Sequence, residues 1–207
     1  MMQKDISTEI KIKEAATRVF VAKGFNGCTS REIAKESGMN VALVNYYFKS
    51  KGQLFEIVIS TIIENFSKSM FEIFKSDLSI ESKIRIFIEK EYEFLDKHPE
   101  IPNFIISELN KKEELILENF HFSEAMLDAK VPSQVIDAQN NGSMRRINLV
   151  NIIMILISNT HFPFMGKALI KSIHTIEGNE YKNHLLIHKQ HVTEMIMSYL
   201  FPLNNKG

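Results

Sequence analysis

Thr29–Lys51 reads TSREIAKESGMNVALVNYYFKSK, and the fold of the chain's head turns on this stretch. Thr29-Ser30-Arg31-Glu32 has the spacing of a capping box, in which the Thr29 hydroxyl and the Glu32 carboxylate each satisfy an amide left free at a helix start. The helix that opens at Ser30 ends at Gly38, which can adopt positive φ where the chain reverses. Asn40 can cap a second short helix, Val41 to Phe48, whose spacing turns Val44, Tyr47 and Phe48 inward. Ala34 is small and lets the two helices approach. Two short helices joined through Ser37-Gly38-Met39-Asn40 make a helix-turn-helix. The second exposes Val41, Ala42 and Asn45 early and Tyr46 later, which suits a helix whose first residues meet base edges in a DNA major groove.

Helical periodicity continues on both sides. Ile12, Ala15, Ala16, Val19 and Phe20 form one buried face, and Gly24 closes that helix, so the head has three helices. Downstream, a long helix is expected from about Gly52 to Lys75, with Leu54, Phe55, Val58, Ile62, Phe66 and Met70 along one stripe. Further helices are expected over Ser79–Lys97, broken at His98-Pro99, over Asn103–Leu109, from near Lys112, and from Pro132 to Gly142. The last two run from Ile147 to about His161, with Pro163 as a kink or break, and from Asn183 to about Leu200, aligning Leu185, Val192, Ile196 and Tyr199. Ser123–Val131 has no assigned structure. The expected fold class is all-α: a three-helix helix-turn-helix head, residues 1–50, on a larger antiparallel helical bundle, residues 51–207.

The chain has 207 residues, 44% hydrophobic and 24% charged, with zero formal net charge. That composition excludes a disordered tail and a collagenous repeat. One cysteine, Cys28, excludes an intramolecular disulfide and a Cys-rich zinc site. Eight Gly and five Pro are few for a β-rich chain. The zero balance hides an asymmetry. Residues 1–52 carry nine Lys/Arg and five acids, and the remainder carries sixteen and twenty. A head of net +4 on a body of net −4 suggests a polyanion partner for the head. The N-terminus has no signal-like apolar run, and Ile147–Ile157 is too short to span a bilayer. A cytoplasmic protein with no membrane partner is the simplest reading.

FVAKGFNGCTSREIA, ESGMN and VNYYFKSKGQLF together resemble the tetracycline-repressor (TetR) family of bacterial transcriptional regulators. The last is the most specific: an aromatic pair, Phe, a base, Ser and Lys just before a long helix. Asn45 departs from the pattern, since many members carry Tyr there. The resemblance implies a dimer on a palindromic double-stranded DNA operator, acting as a repressor and released by a small, mostly apolar effector held in the larger domain. It places DNA contacts at Thr29, Ser30, Arg31, Val41, Ala42, Asn45, Tyr46, Tyr47 and Lys51. Thr29 and Ser30 stand at a helix start, where hydroxyls and free amides suit a phosphate. Arg31 can fork to guanine or to a phosphate, Asn45 can read adenine, and Val41 and Ala42 can touch a thymine methyl. Tyr46 and Lys51 are expected on phosphates. Tyr47 reads first as core, with its hydroxyl able to reach the DNA backbone from the rim.

Phe66, Phe87, Tyr92, Phe94, Phe104, Phe120, Phe122 and His161 could wall an effector pocket between helices, although each taken singly also reads as core. His184, His188 and His191 share one face of the last helix. Imidazoles so spaced can share a metal, and a metal-dependent helical protein is the alternative function. A polar stripe at a helix–helix interface accounts for them more simply, since no Cys or His partner is spaced elsewhere. No catalytic motif is present, so neither an enzyme nor a cofactor is expected. The helix from Ile147 and the last helix carry more apolar surface than one small body needs, and are the expected homodimer interface.

Overall fold

The caps written into the sequence are formed. Asp5 accepts from the Ser7 amide at the start of α1 (Ile6–Lys23). Thr29 and Glu32 close a reciprocal capping box on α2 (Ser30–Ser37). Asn40 accepts from the Leu43 amide at the start of α3 (Val41–Phe48). The structure is a computed structural model that describes residues 5–111, 130–173 and 180–202, apart from the side chains of residues 66–69. Its further helices are α4 (Lys51–Lys75), α5 (Ile80–Lys97), α6 (Ile101–Leu109), α7 (Val131–Asn140), α8 (Leu149–Met165), α9 (Lys167–Ile173) and α10 (Glu180–Leu200). The described residues contain no strand, so the fold is all-α.

The chain divides into two units: Met1–Phe66 with Asn103–His121, and Ser67–Pro102 with Phe122–Gly207. In the first, Ile12, Ala15, Ala16 and Phe20 of α1 are fully buried, together with Ile33, Leu54, Phe55 and Ile59. Phe20, Phe25 and Phe55 pack ring against ring, and Phe104 meets Phe55 edge-on at 6.1 Å. Full burial of each such ring contributes roughly 1.5–3 kcal/mol.

In the second unit α5 packs against α7, α8 and α10. Ile88, Leu95, Ile152, Val192, Ile196 and Leu200 fill that core. A buried lysine stands among them. Lys83 Nζ donates to the Phe74 carbonyl at 2.7 Å and to Gln134 Oε1 at 2.8 Å. It supplies a charged donor to a carbonyl in the last turn of α4, where helix carbonyls lack partners. Burial holds its pKa below the ordinary 10.5.

Three sequence expectations need correction. The helix expected from Ile147 to about His161 runs from Leu149 to Met165, through Pro163. Pro163 lies in the final turn, and its carbonyl accepts from the buried Tyr181 hydroxyl instead of being stranded. α10 starts at Glu180, ahead of Asn183. Tyr199 does not join the buried stripe: Arg145 lies over its ring at 4.4 Å, and Arg145 Nε donates to its carbonyl at 2.8 Å. The helix start near Lys112 and the loop at Gly178-Asn179 lie outside the described residues. Among the described residues no single helix is long and apolar enough to cross a membrane. α8 and α9 reach that length only together, across a 68° bend.

Candidate nucleic-acid interface

The turn between α2 and α3 depends on one residue's backbone. Gly38 has φ 71 and ψ 18, and the Met39 amide donates back to the Ala34 carbonyl at 2.9 Å. A side chain at Gly38 would enter open space, so the left-handed conformation alone selects glycine. Upstream, Glu32 accepts from the Thr29 amide at 2.8 Å and pairs with Lys23 at 2.6 Å. The Lys23 bond first, then the Thr29 amide and hydroxyl, hold the Glu32 carboxyl down at about 2.

α3 has two faces. Val44, Tyr47 and Phe48 are buried, while Ala42, Asn45 and Tyr46 are exposed and Val41 is half-buried. Thr29 and Arg31 at the start of α2 are exposed and Ser30 half-buried. Thr29's hydroxyl already serves the capping box, accepting from the Glu32 amide at 3.3 Å. Tyr47 lies in the core, where its hydroxyl accepts from the Asp5 amide at 2.7 Å and ties the start of α1 to α3. Lys51 is similarly engaged. Its ammonium donates to the Phe25 and Cys28 carbonyls, each at 2.9 Å, and lies 4.3 Å from the Phe25 ring centroid. The exposed lysine of the Lys-Ser-Lys run is Lys49, which ends α3 at φ 58. The family pattern draws attention to Lys51, whereas the sign in the sequence for Lys49 is its position one residue past α3.

The pocket candidates are dispersed. Phe104 belongs to the first unit. In the second, Phe87 stacks with Phe74 and lines an apolar cavity of about 40 Å³ with Ile84, Val135, Ile152 and Leu156. Tyr92 packs its ring on Phe164 at 5.7 Å. Burial pushes the Tyr92 phenol up to about 12. Phe94 meets His98, and His161 bonds the fully buried Glu91 at 3.0 Å. Phe120 and Phe122 lie outside the described residues, as does the side chain of Phe66. His184, His188 and His191 acquire no further ligand: no group of three His, Cys, Asp or Glu among the described residues could hold a metal ion. Burial, and then the charge of His191, lower the pKa of His188.

Residues 12–58, from α1 through the first part of α4, match the family model of bacterial regulatory proteins of the tetR family. By that match, the head is of the tetR family's type. A DNA-binding, transcription-regulating character goes with that match. A Bacillus subtilis protein named "Probable HTH-type transcriptional regulator YttP" is 29% identical over 84% of this chain and 86% of its own length. Two solved structures share the fold. FadR of Bacillus subtilis, in complex with stearoyl-CoA, aligns at TM-score 0.66 and 16% identity over 91% of this chain and 97% of its own. The fatty acid degradation regulator FadR of Bacillus halodurans aligns at 0.65 and 14% over 98% and 99%.

Proposed function

We propose that this chain is a tetR-family repressor: a homodimer on a palindromic operator in the cytoplasm, released by a small, mostly apolar effector. Residues 1–50 read the DNA; residues 51–207 dimerise and hold the effector. The observation that carries the reading is the two-faced α3, which keeps Val44, Tyr47 and Phe48 in the core and presents Ala42, Asn45 and Tyr46 outward. Beside it, Arg31 and Lys49 offer exposed cations, one suited to a base edge and the other to the backbone.

Two further observations support the finer parts. Val150, Met154 and Phe162 on α8, and Ile187 and Met195 on α10, are each more than half exposed. Two packed helices with exposed apolar residues suit a two-fold interface with a second copy. The acyl thioester bound by the structural neighbour FadR supports a long-chain apolar effector.

The test begins by selecting operators from random duplex DNA with the full-length chain. Binding should weaken steeply with salt, as phosphate contacts require, and stearoyl-CoA, the first probe, should weaken it further. A chain that enriches no sequence would overturn the reading. Operator affinity unmoved by bound stearoyl-CoA would remove acyl thioesters as the effector class.

A further inference from the structure

Phe25, in the loop between α1 and α2, is held from two directions within the first unit. Its amide donates to Glu108 Oε1 of α6 at 3.4 Å, and its carbonyl accepts from Lys51 Nζ at 2.9 Å. The same ammonium reaches the Cys28 carbonyl and lies over the Phe25 ring. An anion therefore faces the N–H of one peptide unit and a cation the C=O of the next, both orientations favourable. Glu108 is nearly fully buried, 1% exposed. Lys111 approaches its Oε1 at 3.2 Å, while Oε2 has no partner among the described residues. Burying a carboxylate with one oxygen unsatisfied costs free energy that an apolar residue would avoid. Its approach also depends on Gly24, at φ +70, where a Cβ would lie 2.9 Å from Glu108 Oε1. The three-helix head closes its own caps without Glu108. The chain leaves this unit after Phe66 and re-enters it at Asn103, so Glu108 is a contribution of the later chain to the head's loop.

We propose that Glu108 is a positioning residue for DNA binding: it fixes the Phe25 loop, and the loop fixes the Lys51 ammonium at the start of α4, just past the recognition helix. This rests on the DNA-binding reading above. It makes Lys51 a latch whose placement is shared between the head and α6.

A double-mutant cycle in the full-length chain tests it. Operator affinity, on a duplex selected with the wild-type chain, is measured for Glu108→Gln, Lys51→Met and the pair, with thermal unfolding alongside. Glu108→Gln is expected to weaken operator binding about tenfold when Lys51 is present, and less than about twofold in the Lys51→Met background. Glu108→Asp, which keeps the charge but withdraws it by one methylene, should weaken binding like Glu108→Gln, and serves in the cycle if the Gln variant does not fold. Equal losses in both Lys51 backgrounds would overturn the proposal, as would a fall in melting temperature with operator affinity unchanged. A wild-type chain that selects no operator would overturn the DNA-binding reading itself, and this inference with it.

Discussion

Lys49 and Lys51 sit two residues apart and have different surroundings. Lys51's ammonium is spent on two backbone carbonyls, whereas Lys49 stands exposed at the end of α3. A phosphate contact contributes to every DNA sequence alike, whereas a base contact discriminates. Lys49→Ala is therefore expected to weaken binding to all duplexes about equally and to reduce the salt slope by roughly one. Arg31→Ala should cost on the order of 1–3 kcal/mol and relax preference at one operator position, if its guanidinium reads guanine. Competition binding against single-base operator variants checks both, and an Arg31→Ala loss that is uniform over all variants would reassign Arg31 to the backbone. Glu32 gives a pH prediction at this scale. Its carboxyl is held below the ordinary 4.5, at about 2, by Lys23 and Thr29. Its favourable bonds are thus complete above pH 4.5 and are lost as pH falls through that window. Thermal unfolding followed from pH 5 to 2 should show a decline that Glu32→Gln flattens.

Among the elements, the head was the most legible part of the sequence, because its instructions are local. Thr29, Glu32, Gly38 and Asn40 act within three or four residues of themselves, and the buried set of α1 follows from spacing alone. Gly38 shows how much rests on one such residue: Gly38→Ala meets no atom, but forcing φ +71 on a side chain costs roughly 1–2 kcal/mol, which chemical denaturation should register as an equal loss of stability. What the sequence did not reveal depends on distant partners. Pro163 sits in the last turn of α8, where Tyr181, eighteen residues on, donates to its carbonyl. Tyr199 is turned outward under Arg145. Lys51 and Tyr47 matched a family pattern, yet their polar atoms meet Phe25, Cys28 and Asp5. The buried Lys83 was not legible at all, since nothing in its neighbours' spacing marks a cation inside a core. Its depressed pKa carries a sign: between its folded value and 10.5 the unfolded chain holds the extra proton, so stability should rise with pH through that alkaline window. In Lys83→Met the rise should vanish, and its persistence would assign it to another group.

At the scale of the whole molecule, specificity requires more than one head. A single helix-turn-helix touches a few base pairs, so two must be presented at a fixed separation of roughly 34–36 Å, one turn of DNA, or a multiple of it. In the dimer proposed above, the apolar residues left exposed on α8 and α10 are the surface through which a second copy would set that separation. Charges placed there should separate the copies without touching either core, because Met154 and Ile187 contribute little to the monomer's own burial. The double variant Met154→Lys with Ile187→Glu is expected to scatter light as one 23.9 kDa chain, where the parent scatters as two. Each variant head keeps its own contacts, so binding to a single half-site should be unchanged, while the gain from the second half-site disappears. The parent should bind a two-half-site operator far more tightly than one half-site. It should lose that advantage when about five base pairs are inserted between them, since half a turn carries the second site to the opposite face of the duplex. The variant should be indifferent to the insertion. If the variant instead remains a dimer and still senses the insertion, the two-fold contact lies on another face of the chain and the exposed stripes of α8 and α10 serve some other partner.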